Sequence, residues 1–142
     1  MTPIREQLRN NAVALTSLFV ALASLGYNTW RNERTEHNRN IRTAAFEILT
    51  KLAEFERVVF LAHYDRDQAN GNPRTGWTYV IVINDLAEVL PGPVAPRAAQ
   101  LRATWQGNWE GLGKDDETAV DRIDAGITNL RSATLETLRS LR

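Results

Sequence analysis

The feature that most constrains this chain is an apolar segment near its start, NAVALTSLFVALASLGYNTW at residues 11–30. No residue from 12 to 27 is charged, and the polar interruptions are Thr16, Ser17 and Ser24. Because exposure of apolar side chains to water is unfavourable, such a segment must be covered by lipid or by protein. Three interpretations follow: a retained membrane span, a cleaved signal peptide, or a core helix of a soluble domain.

A membrane span agrees best with the length of the segment. A helix over residues 12–30 rises about 28 Å, close to the roughly 30 Å of a bilayer's hydrocarbon core. Tyr27 and Trp30 would lie at its end, where amphipathic aromatic side chains collect at the interface. We therefore predict that residues 1–30 form a membrane anchor helix whose first partner is the lipid bilayer.

A signal peptide is the main alternative. Arg5 and Arg9 form a basic start, residues 12–23 are an apolar stretch of suitable length, and ALA at 21–23 is a plausible cleavage site. We favour the retained span.

Side chains within the segment are sorted by size. Small residues recur every three or four positions on a side that we call the small-residue face: Ala14, Ser17, Ala21 and Ser24. Bulky residues share another side: Leu15, Leu18, Phe19, Leu22 and Leu25. Because small residues let membrane helices approach closely, the pattern predicts homo-oligomerisation. The alternative is that alanine and serine are common in any span.

Arginine counts near the segment indicate its orientation. Arg5 and Arg9 precede it, and a larger group follows: Arg31, Arg34, Arg39 and Arg42. Since cytoplasmic flanks carry the excess of basic residues, we predict a single-pass protein of the bacterial inner membrane with a cytoplasmic C-terminal domain.

The remaining sequence predicts an all-α fold. Residues 31–40, RNERTEHNRN, have no apolar side chain and form a polar neck, either a solvated helix or a segment that is not stably helical. Beyond it, apolar residues recur at helical spacing, which predicts a small antiparallel bundle of about four helices over residues 41–142. The anchor helix is expected to continue through the neck into this bundle.

The part of the first helix after the neck has two apolar seams. The first seam consists of Ile41, Ala45, Ile48, Leu52, Phe55, Val59 and Ala62. The second seam, about 100° round the helix, consists of Phe46, Leu49, Ala53 and Phe60. We expect a long antiparallel helix and a shorter pair to bury both seams, with the neighbours coming from this chain or from another copy.

Three further helices are expected. Residues 77–90, WTYVIVINDLAEVL, fit a helix, although their centre has the composition of a strand. We favour the helix because a lone strand has no ladder partner. A third helix is expected from about residue 97 to 111, and a fourth begins near Asp115, Asp116 and Glu117, whose charges suit a helix start.

Composition and motifs argue against several classes of function. The 17 basic residues are balanced by 17 acidic ones, whereas a nucleic-acid partner normally requires a basic surface. The sequence has no cysteine, which excludes disulfides, thiolate metal sites and thiol nucleophiles. It also lacks a glycine-rich phosphate loop, HExxH and GxSxG. We therefore predict no enzymatic activity, no cofactor and no bound metal.

Residues 63–72, HYDRDQANGN, superficially resemble a cation-binding loop. The potential ligands are His63, Asp65, Asp67 and Asn70. The calcium-loop register fails, because glycine comes one position late at Gly71 and Gly76 stands where the loop requires glutamate. We interpret the segment as a helix end followed by a loop.

Four residues form what we call the tryptophan patch: Trp77, Arg102, Trp105 and Trp109. Trp105 and Trp109 are one helical turn apart, and Arg102 is one turn earlier, so its guanidinium can stack on an indole ring. The patch is either a binding surface for a partner or ligand, or a set of rings that fill the bundle. The interpretation that the rings fill the bundle is the simpler one.

These features predict a membrane-anchored, non-enzymatic helical protein that acts by association. It would be a homo-oligomer or an accessory subunit of a membrane complex. The alternative is a periplasmic or sensory helical bundle that binds a small ligand near its tryptophans after signal-peptide cleavage.

Overall fold

The computed structural model describes residues 11–67, 69–114 and 116–141. Within those ranges the chain has four α-helices, one short 3-10 helix and no strand. The helices are α1 (Ala12–His63), α2 (Pro73–Ala87), α3 (Val94–Asn108), the 3-10 turn (Trp109–Gly111) and α4 (Glu117–Ser140). The all-α fold class is therefore confirmed. The chain divides into two units, Met1–His37 and Asn38–Arg142.

The polar neck is helical, since α1 continues without a break through residues 31–40. Its side chains are exposed apart from a half-buried Asn38. The Thr35 hydroxyl donates to the Arg31 carbonyl oxygen at 2.9 Å, so its hydrogen bond is made within the helix. The arginines at 5 and 9 and residue 115 lie outside the described residues.

Helix α1 ends where a tight loop begins. Asn72 caps α2, because its side-chain oxygen accepts a hydrogen bond from the Arg74 amide at 3.0 Å, and Pro73 occupies the first helical position. Gly71 lies so close to the end of α1 that an added Cβ would be 2.5 Å from the Ala62 nitrogen. Only glycine therefore fits at this point of the loop.

Helices α1 and α4 run antiparallel within the second unit. Three polar contacts join them in reversed order along the chain: Arg42 Nη2 to the Leu141 carbonyl oxygen (3.3 Å), Arg131 Nη2 to Glu56 Oε2 (2.6 Å) and His63 Nε2 to Glu117 Oε1 (3.8 Å). Helix α4 starts at an Asp116 cap, whose carboxylate accepts a hydrogen bond from the Ala119 amide at 3.0 Å.

The core of the second unit is built around Trp105, which is 0% exposed. Its indole packs edge-on against Phe55 of α1, with the ring centroids 4.9 Å apart. On the side of α2 it fills the space above Gly76, where an added Cβ would overlap indole atom Cζ2. One side chain of α3 therefore contacts both α1 and α2. Other fully buried large side chains are Ile41, Ile48, Leu52, Ile83, Leu101, Ile123, Ile127 and Leu130.

The expectation that helices of this chain bury both seams of α1 is wrong, whereas burial by another copy stays a prediction. Every member of the first seam is buried. In the second seam Phe46, Ala53 and Phe60 are exposed, and Leu49 is half-buried. The reason is geometric. The second seam lies about 100° round the helix from the first, and the residues of α2, α3 and α4 that join the core pack against the first seam.

Residues 77–90 are helical up to Ala87, as favoured from the sequence. In its central apolar run Val80 and Ile83 are buried, whereas Ile81 and Val82 between them are exposed. Only one side of α2 therefore enters the core. Helix α3 begins at Val94, three residues before the expected start.

We predict that Gly76→Ala destabilises the second unit by about 1–3 kcal/mol, because the new methyl group must displace the Trp105 ring. Thermal unfolding monitored by near-ultraviolet circular dichroism measures the change. The matched control is Gly107→Ala in α3, where nothing lies within 4 Å of the added Cβ. That variant should be neutral or stabilised by up to about 1 kcal/mol. Equal effects of the two substitutions would contradict this packing.

Candidate functional site

The apolar segment of α1 presents its side chains outward. No residue of the 18-residue apolar window is buried, and Val13 and Phe19 are 81% and 72% exposed. Among the described residues, α1 is the one helix whose length and composition suit a membrane crossing. A core helix would have its apolar side chains covered by protein, so this exposure gives no support to that interpretation.

Two polar side chains of the segment, Thr16 and Ser17, are hydrogen-bonded within the helix. The Ser17 hydroxyl donates to the Val13 carbonyl oxygen at 2.8 Å, and the Thr16 hydroxyl donates to the Ala12 carbonyl oxygen at 2.8 Å. A hydroxyl that bonds its own backbone adds little cost inside a bilayer, where water is not available as a partner. The segment is therefore chemically compatible with a hydrocarbon environment.

The small-residue face lies beside a shallow groove on α1. All four of its residues, Ala14, Ser17, Ala21 and Ser24, are exposed. The groove has a volume of about 570 Å³ and is lined by Ala12, Val13, Thr16, Ser17, Val20 and Ala21. Short side chains leave room for the ridge of a neighbouring helix at such a groove.

An aromatic and cationic cluster follows the apolar segment. The Tyr27 and Trp30 rings are 6.1 Å apart, and the Arg34 guanidinium lies 5.7 Å from the Trp30 ring centroid. Tyrosine, tryptophan and arginine are the side chains that concentrate at a bilayer's headgroup level. The two rings are evident from the sequence, whereas the cation–π contact that holds Arg34 above one of them is not.

The structure separates the members of the tryptophan patch. Trp105 is buried in the core, whereas Arg102 is exposed. Trp77 and Trp109 are half-buried and pack against the core from α2 and the 3-10 turn. Trp105 is thus accounted for by packing, although its Nε1 is buried and makes no hydrogen bond among the described residues. Three clefts, of about 440, 230 and 150 Å³, have linings that include none of these tryptophans.

The carboxylate of Asp67 closes a turn in the loop after α1. Asp67 Oδ1 accepts hydrogen bonds from the amides of Ala69 (3.0 Å) and Asn70 (3.2 Å), and Oδ2 accepts one from Asn70 Nδ2 at 2.7 Å. The Asn70 bonds hold the pKa of Asp67 below its ordinary value. Over the described ranges, no group of three or more histidine, cysteine or acidic residues is arranged to hold a metal ion.

A small group of ionisable residues lies between the end of α1 and α4. His63 is buried, and its Nδ1 makes no hydrogen bond to the described residues. The Asp124 carboxyl is half-buried, and its pKa is raised mainly by burial and further by the negative charges of Glu56 and Asp121. The arrangement offers no nucleophile beside a base, so it does not form a recognisable catalytic constellation.

Comparisons with known proteins identify no relative, because no protein-family model, curated protein or solved structure matches the chain.

We predict that Asp124→Asn stabilises the protein near pH 7. Because the pKa of Asp124 is raised above its ordinary 3.8, the folded state binds this proton more tightly than the unfolded state does. The contribution of Asp124 to stability therefore falls as the pH rises from 3.8 through the raised pKa, and the neutral asparagine removes that loss. Urea unfolding at several pH values measures it.

The gain from Asp124→Asn should shrink to nothing below pH 3.8, where the native aspartate is protonated in both states. Asp85→Asn, at an exposed position of α2, controls for loss of one negative charge. A pH-independent gain, or the same gain from Asp85→Asn, would contradict the burial of the Asp124 carboxyl.

Proposed function

We propose that the chain is a membrane-anchored, non-enzymatic helical protein that acts by association, as a homo-oligomer or as an accessory subunit of a membrane complex. The observation that carries the proposal is the exposure of the apolar segment of α1. Burying that segment in hydrocarbon removes its large side chains from water at roughly 25 cal/mol per Å². Exposed as it is, the segment requires a bilayer or a protein partner.

The proposed contact between copies in the membrane is the small-residue face. Its short side chains let a neighbouring helix approach closely, and the Ser17 hydroxyl is already bonded within α1, so association at Ser17 needs close packing rather than new hydrogen bonds. The absence of a recognisable catalytic constellation in the described residues is consistent with this role but does not carry it.

The proposed location is the bacterial inner membrane, with the second unit on the cytoplasmic side. This orientation rests on the excess of arginines after the span. The ligand-binding alternative has weaker support, because Trp105 fills the core and is not exposed toward a cleft.

Extraction of membranes with alkaline carbonate tests the anchor. The chain should stay in the membrane pellet and should retain its first residues in N-terminal sequencing. Release into the supernatant, or a mature chain that begins at Ser24 after the ALA at residues 21–23, would overturn the proposal in favour of a cleaved signal peptide.

We predict that Ala21→Leu disrupts contact between copies, because a large side chain fills the groove of the small-residue face. The readout is the disulfide-linked dimer formed by a Ser17→Cys variant under mild oxidation, and the yield should fall at least about tenfold. Leu22→Ile, on the bulky side of the segment, is the control and should leave the yield unchanged. A dimer yield that survives Ala21→Leu would rule out this face.

A further inference from the structure

The second seam of α1 is an apolar surface that the second unit leaves uncovered. Phe46 and Phe60 are 60% and 51% exposed, and Ala53 between them is also exposed. Tyr64, one turn beyond Phe60, is 56% exposed and lies 5.1 Å from it, measured between ring centroids. Three aromatic rings exposed along one side of one helix exceed the scattered apolar residues that are normal on a protein surface.

The spacing of this surface is that of a helix-pairing seam. Phe46, Ala53 and Phe60 are seven residues apart, the repeat that keeps one side of a helix facing a partner along a left-handed supercoil. The same side also carries charged residues: Arg42 one turn before Phe46, and Glu56 and Arg57 between Ala53 and Phe60. The first seam is already covered from within the chain, so α1 is apolar on two sides about 100° apart, and only one of them has a partner within the chain.

We propose that the second seam binds the second seam of another copy of this chain, in parallel and in register. The inference rests on the proposed function, because membrane anchors would hold the copies in one orientation. A repeat of seven residues is complementary to itself in that arrangement: each phenylalanine meets its own counterpart, and the small Ala53 lets the two helices approach.

The exposed area of the seam is smaller than a stable interface requires, so the proposed pairing also uses the anchor. An aromatic side chain offers about 150–250 Å², so the exposed parts of Phe46, Phe60 and Tyr64 on two copies supply roughly 600 Å². A stable interface requires at least about 1,000 Å². Leu49 and Ala53 add to the seam, and the small-residue face supplies a second contact on the same helix.

Site-specific disulfide formation tests the inference in the full chain, which has no native cysteine. The variant is Ala53→Cys on the second seam, and the matched control is Ala99→Cys at an exposed position of α3. After mild oxidation in native membranes, Ala53→Cys should give a reducible band at the mass of two chains. Ala99→Cys should stay monomeric.

A second pair of variants shows whether the seam itself drives pairing. In the Ala53→Cys chain, Phe46→Glu together with Phe60→Glu should lower the dimer yield at least about tenfold, because the carboxylates would be buried opposite each other. Val89→Glu is the control for an added charge, since Val89 is 51% exposed and lies off the seam. It should leave the yield unchanged.

Each remaining outcome overturns the inference. If Ala53→Cys fails to crosslink in a chain whose circular dichroism matches that of the wild type, the inference is wrong. It is also wrong if Ala99→Cys crosslinks equally, because that result indicates random collision. A disulfide adduct with a different protein identifies another occupant of the seam. Crosslinking of Ser17→Cys without Ala53→Cys would refute the seam and leave the proposed association in the membrane standing. Failure of both would refute both.

Discussion

The edge-to-face contact between Phe55 and Trp105 is the interaction on which the packing of the second unit depends. The Trp105 indole reaches from α3 to α1 and occupies the space that Gly76 leaves on α2, so three helices meet at one ring. Helix α4 then closes the unit beside α1 through polar contacts at both of its ends and near its middle. The core residues of α2, α3 and α4 pack against the first seam of α1.

That arrangement has a consequence for association. Because α2, α3 and α4 contribute to a core on one side of α1, the aromatic residues of the second seam stay exposed. The apolar segment at residues 12–30 is exposed as well. Covering both surfaces is favourable, and we propose that lipid covers the segment and another copy covers the seam. These two exposed surfaces are the basis of the proposed association.

Much of the fold follows from sequence periodicity. The first seam, the helical reading of residues 77–90 and the acidic start of α4 are all local patterns, and local patterns determine helices. The exposure of the second seam could not be predicted. Periodicity shows that a side of the helix is apolar, but it does not show how many neighbouring helices the chain can supply to cover it. The buried position of Trp105 could not be predicted either, because its spacing from Trp109 is equally compatible with a surface patch and with a core. The glycine that accommodates it, Gly76, is distant in sequence and carries no signal of its own.

The mass of the full chain in a mild detergent, measured by light scattering with the detergent contribution subtracted, tests the central claim of association most directly. One chain is 16.0 kDa. Assembly through α1 predicts a particle containing at least twice that protein mass, or a stable complex with a second protein. A homogeneous particle of 16.0 kDa, with no other protein bound, would contradict the account.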